Sequence, residues 1–148
     1  LGTPYWEPSA RGTITGLTRG ATRSHIARAA LESIAFQSKA VCQAMSDSGG
    51  VPLTMLRVDG GATENGFLMQ FQSDILGASV ARATVRETTA RGAAFLAGLA
   101  SGFWRDTEAL SHLWTADQIF HPSLDEDTRQ ALLHGWEKAV QGTCIVGS

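Results

Sequence analysis

From residue 24 to residue 45 the sequence SHIARAALESIAFQSKAVCQAM sets Ala27, Leu31, Ile34, Ala35, Ser38, Val41, Cys42 and Met45 at steps of three and four. That spacing draws one stripe along an α-helix and is the strongest helical pattern in the chain. Ser24 is placed to cap the helix, and Ser48-Gly49-Gly50 to end it. Residues 53–58 (LTMLRV) alternate as a strand does, residues 79–84 (SVARAT) offer a second strand, and Thr13-Ile14-Thr15 a third between Gly12 and Gly16. A helix is predicted from about Glu64 to Leu76, with Phe67, Leu68, Phe71, Ile75 and Leu76 inward and Gly77 as its stop. Thr88 or Thr89 can cap a further helix over TTARGAAFLAGLASGFW, and a brief one covers Glu108 to Trp114. The last helix runs from about Leu124 to Val140, announced by Ser123 and Glu126 in capping-box register. Residues 1–10 are turn-like, since Pro4 and Pro8 exclude helix. Strands alternating with long helices predict an α/β fold, with helices laid against a mainly parallel sheet.

Composition narrows the class. The chain has 148 residues, 43% hydrophobic and 18% charged, which suits one globular domain or a large piece of one. Twelve basic and 14 acidic residues leave a net charge of −2 with no basic stripe, which argues against nucleic-acid binding. Cys42 and Cys144 stand far apart and read as reduced thiols of a cytosolic protein. The four histidines show no metal-ligand spacing, no apolar run approaches the ~18 residues of a membrane span, and no signal-peptide pattern opens the chain. The first residue is Leu1, leading straight into Thr3-Pro4-Tyr5-Trp6, and reads as a cut inside a longer protein.

Candidate chemistry gathers where the strand at 53–58 meets the following helix, at Asp59-Gly60-Gly61-Ala62. Glycine admits positive φ and carries no Cβ, so the backbone there can turn sharply and a ligand can approach it closely. The helix beginning near Thr63 or Glu64 would aim free N–H groups and its dipole at the turn, which suits a phosphate or another polar group. Ligands of open α/β sheets sit beyond the carboxyl ends of strands, where this turn lies. Asn65 adds an amide that can both donate and accept, as reading a base edge requires. An ordinary strand–turn–helix is the plain alternative, with Asp59 as an Asx-turn acceptor rather than a nucleotide or metal-water contact. Neither Gly-x-Gly-x-x-Gly nor a P-loop is present, so phosphate chemistry would use another scaffold.

Longer patterns carry a resemblance. Gly12-x-Ile14-x-Gly16-Leu17, seven residues, then His25-Ile26-x-x-Ala29-Ala30-Leu31-Glu32 matches the second signature of the FGGY family of carbohydrate kinases. Thr3-Pro4-Tyr5-Trp6-Glu7-Pro8, the run from Asp59 to Asn65 with Phe67 to Gly77, and Glu87 to Ala90 with Gly92 to Gly98 and Gly102-Phe103-Trp104 resemble its glycerol-phosphorylating branch. Thr3, Glu7 and Arg91 depart from that branch's usual Ala, Asp and Leu.

The resemblance implies a ribonuclease-H-like lobe of the actin, hexokinase and Hsp70 ATPase type, incomplete at its N-terminal side, with a raw sheet edge there. Residues 1–148 are then the C-terminal portion of the nucleotide-binding, C-terminal domain of such a kinase. In that scheme Val58 to Thr63 is the adenosine segment, Gly61 and Asn65 contact ADP or ATP, and Gly60 and Ala62 shape the same turn. ATP with Mg2+ would be the cofactor and glycerol the acceptor, with xylulose or another sugar or polyol as the alternative. The catalytic carboxylate, the first phosphate loop and the glycerol contacts would lie upstream, so no catalytic residue and no metal ligand is assigned and the chain alone is expected to be inactive. Family members often form dimers or tetramers, so a homo-oligomer is implied. A non-catalytic nucleotide-binding or oligomerisation module is the reading of another class. Asp47, Asp74, Asp106 and Asp117 read as solvated or capping residues, Glu32 as packed or ion-paired, and Arg11 and Arg19 as surface or interlobe ion pairs. Trp6, Trp104, Trp114 and Trp136 read as core or interface aromatics.

Overall fold

A computed structural model describes residues 1–85 and 87–146, the last two of these by their backbone alone. Helix α1 spans Arg23–Gly49. It starts one residue before the predicted cap: Thr22 is extended, its N–H and hydroxyl both lie 3.1 Å from His25 Nδ1, and Ser24 is already helical. Gly50, at φ 65°, closes the helix by donating its N–H to the Ser46 carbonyl (2.8 Å). The predicted stripe divides. Ala35 is buried and Leu31, Ser38 and Cys42 are half-buried, while Ile34, Val41 and Met45 face solvent.

Strand β1 (Met55–Val58) pairs in parallel with β2 (Ser79–Ala83), and β2 pairs antiparallel with β3 (Ala116–Phe120), giving a three-stranded sheet ordered β1-β2-β3. The sheet among the described residues is therefore mixed rather than mainly parallel. β3 escapes the sequence pattern because ADQIF shows no clean alternation and carries Asp117 and Gln118. Those two polar side chains bond Arg82 across the ladder instead of filling a core face. Thr13-Ile14-Thr15 forms no strand: it is exposed, and no ladder is formed there.

Helix α2 (Gly66–Leu76) begins two residues later than predicted, after a 3-10 turn over Gly61–Glu64, and stops at Gly77 (φ 68°) as expected. Helix α3 (Thr88–Ala100) ends earlier than predicted, where the Phe103 and Trp104 N–H groups converge on the Gly98 carbonyl and Gly102 takes φ 76°. Helix α4 (Thr107–Ser111) is capped by Asp106, whose Oδ1 accepts from Ala109 N–H. Helix α5 (Glu126–Val146) is capped by Asp125, accepting from Thr128 N–H (2.8 Å). Ser123 is no cap. Its N–H and hydroxyl go to Asp74, which is buried rather than solvated and also accepts from Gln70 and Leu124 N–H.

The core lies between α1, α2 and the sheet. Leu68, Met69, Phe71, Ile75 and Leu76 of α2 meet Ala35 and Phe36 of α1, Val80 of β2 and Phe120 of β3. Trp136 of α5 stacks on Phe36 at 5.0 Å between ring centroids. Phe67 was expected inward but is exposed, stacked on Phe71 and covered by the Arg28 guanidinium at 5.1 Å.

Candidate functional site

The turn after β1 holds two glycines that differ in conformation. Gly60 adopts φ 86°, ψ 169°, a conformation open to glycine and strained for other residues. Its carbonyl accepts both the Thr63 N–H (3.1 Å) and the Thr63 hydroxyl (2.7 Å), so the following 3-10 turn folds back on it. Gly61 has no positive φ, and a Cβ built there meets nothing within 4 Å. The fold of the described residues gives Gly61 no internal reason to lack a side chain. Gly61 and Ala62 are exposed, while Thr63 beneath them is 4% exposed.

Asn65 ends the turn and starts α2. Its N–H donates to the Ala62 carbonyl (3.2 Å) and its Oδ1 accepts from Leu68 N–H (3.1 Å). The acceptor half of the amide is thus committed to the helix cap, and the Nδ2 group is the half left to read a ligand. The first helical bond comes from Met69 N–H to the Asn65 carbonyl, so the N–H groups of Gly66 and Phe67 have no acceptor within the helix. Asp59 forms no Asx turn among the described residues. Its Oδ2 accepts from the Thr88 hydroxyl at the start of α3.

A residue that sequence spacing did not single out holds the other side of the turn. Arg82, on the central strand, donates from Nη1 to the Thr63 carbonyl (3.2 Å), from Nε to Asp117 (2.8 Å) and from Nη2 to Gln118 (3.2 Å). The hydrogen bond to Asp117 raises the Arg82 pKa above its ordinary value. No local signal marks these partners, because 19 residues separate Arg82 from Thr63 and 35 separate it from Asp117.

Several of the remaining candidates bond or pack within the chain. Glu32 pairs with Arg28 (2.6 Å) as expected, and Arg11 donates to the Ser9 carbonyl (2.6 Å). Trp104 packs edge-on against Phe95, Trp114 lies under Arg57 at 4.3 Å, and Trp6 is 73% exposed. A cavity of about 550 Å3 lies between Pro4-Tyr5, α1 and α5, and none of its lining residues belongs to the turn. Its wall mixes Lys39, Asp47, Arg129 and Glu137 with Phe36 and Trp136. The turn is an open surface, and its case rests on backbone chemistry. No three His, Cys, Asp or Glu side chains among the described residues gather as metal ligands. No helix among them is long and apolar enough to cross a membrane.

An α/β lobe of ribonuclease-H-like type, with an open glycine turn at the carboxyl end of a parallel strand, is the class these features define. The profile of the FGGY family of carbohydrate kinases, C-terminal domain, matches residues 1–101, and the chain belongs to that family. It is 60% identical over 141 residues to the glycerol kinase of Dechloromonas aromatica, covering 95% of this chain and 28% of that protein. Plasmodium falciparum glycerol kinase, solved with ADP, superposes with a TM-score of 0.84 at 39% identity, over 95% of this chain and 28% of that one. Xylulose kinase from Rhodospirillum rubrum gives 0.71 at 25% identity, over 89% and 27%. The chain thus spans less than a third of the length of each of these relatives.

Proposed function

We propose that residues 1–148 are the nucleotide-side portion of an ATP-dependent glycerol kinase, which converts glycerol and ATP into glycerol 3-phosphate and ADP. The observation that carries the reading is the turn at the carboxyl end of a parallel strand, where Gly60 holds a positive φ and Gly61, exposed, leaves the backbone open. A flat group lying against that backbone would explain the missing side chain. In this reading adenosine rests on Gly60, Gly61 and Ala62, and Asn65 offers its Nδ2 donor. Among solved structures, the identity of 39% to a glycerol kinase against 25% to a xylulose kinase favours glycerol as acceptor.

Phosphoryl transfer is largely positioning and electrostatic stabilisation. The residues here supply positioning, by anchoring the nucleoside end so that its phosphates reach the acceptor in one register. The catalytic carboxylate, the first phosphate loop and the glycerol contacts belong outside residues 1–148 in this reading, and the chain by itself is expected to show no kinase activity. A cytoplasmic setting and a homo-oligomeric assembly are part of the same proposal.

Calorimetric titration of ADP into the whole kinase tests the reading. Gly61→Val should raise Kd by about tenfold or more, because the branched side chain occupies the face on which the nucleoside lies, a loss of about 1.4 kcal/mol per decade. Unchanged ADP affinity in that variant would remove the assignment.

A further inference from the structure

We propose that Arg82 is a positioning residue for the nucleotide turn, acting through the Thr63 carbonyl; this rests on the reading of Gly60 to Asn65 given above. In the sheet Arg82 lies opposite Val58, the last β1 residue before the turn, and on its other side opposite Gln118 of β3. Its guanidinium spans both neighbours, with Nη1 on the Thr63 carbonyl and Nε and Nη2 on Asp117 and Gln118. The side chain is 15% exposed, so the fork is largely withdrawn from solvent.

The consequence follows from how the turn is made. Thr63 returns both its N–H and its hydroxyl to the Gly60 carbonyl. Fixing the Thr63 carbonyl from below therefore fixes the plane of the peptides above it, which is the open face at Gly61. A 3-10 turn of four residues has poorer hydrogen-bond geometry than an α-helix and depends on such outside support. The Thr88 hydroxyl on Asp59 holds the near end of the turn, and Arg82 holds the far end. A lysine keeps the charge and most of the stem but has no planar fork able to meet acceptors on the turn and on β3 together.

The test is steady-state kinetics and ADP calorimetry on the whole kinase carrying Arg82→Lys, Arg82→Gln or Asp117→Asn, with Gly61→Val alongside. Arg82→Gln should raise the KM for ATP and the Kd for ADP about tenfold while leaving the KM for glycerol unchanged. Arg82→Lys should recover part of that loss, and Asp117→Asn should shift the same constants in the same direction by less. Should Arg82→Gln fail to fold, Arg82→Lys, the milder change, carries the test through the same KM split. Equal changes in the ATP and glycerol constants, or a lower melting temperature with unchanged ATP and ADP constants, would reduce Arg82 to a structural tie and overturn the proposal. If Gly61→Val weakens ADP and no Arg82 variant does, the positioning role fails and the nucleotide reading stands. If Gly61→Val changes nothing, the nucleotide reading itself fails.

Discussion

Two stretches of the chain carry equally distinctive sequence patterns, yet they behave differently in the fold. The run from Asp59 to Asn65 is anchored from afar, by Thr88 on α3 and Arg82 on β2. The run from Arg11 to Thr22, with its Gly-x-Ile-x-Gly-Leu pattern, keeps its hydrogen bonds to near neighbours: Arg11 to Ser9, Thr13 to Arg11, Gly20 to Thr18 and Ala21 to Thr18. Ile14 there is 62% exposed. A motif becomes local structure only where the chain supplies the partners that its backbone and apolar groups need.

That contrast can be broken or sharpened by substitution, measured by urea unfolding of residues 1–148. Leu68→Ala, under the turn and fully buried, should cost about 2–5 kcal/mol, the range for emptying a packed leucine site. Asp74→Ala should cost about 1–3 kcal/mol, because it strands the N–H groups of Ser123 and Leu124. Asn65→Ala removes the α2 cap and should cost about 1 kcal/mol. Ile14→Ala should fall within about 0.5 kcal/mol. A cost for Ile14→Ala as large as that for Leu68→Ala would end the distinction between the two regions.

The smallest effect concerns pH. Asp125 is held below its ordinary pKa by the Thr128 N–H and hydroxyl, and Glu126 by Gln130 and Arg129. A carboxylate whose folded pKa is depressed stabilises the fold above its unfolded pKa, and that contribution fades as pH falls through the folded value. Unfolding midpoints should therefore drop slightly below about pH 4, and Asp125→Asn should flatten the drop. A midpoint that rises on acidification would contradict the capping geometry.

Much of the molecule was legible in sequence, and the misses share one cause. β1, β2, α2 and its stop at Gly77 follow from spacing and turn chemistry, which are local. The glycine turn was legible as a place, but not the commitment of Asn65 Oδ1 to Leu68, which depends on where α2 starts. β3 and Arg82 were illegible because Asp117 and Gln118 acquire meaning only across the ladder. Thr13 to Thr15 reads as a strand because three β-branched residues stand between Gly12 and Gly16, but a strand requires a neighbour and none among the described residues pairs with it. Ser123 matched a capping box, yet the buried Asp74 carboxylate takes its donors and leaves the cap to Asp125.

The central claim is that the bare backbone at Gly61 is the seat of the nucleoside. A crystal structure of the whole kinase with ADP tests it most directly. The account predicts adenosine in van der Waals contact with Gly61, with Asn65 Nδ2 turned toward it. ADP seated elsewhere, for example in the cavity between α1 and α5, would contradict it.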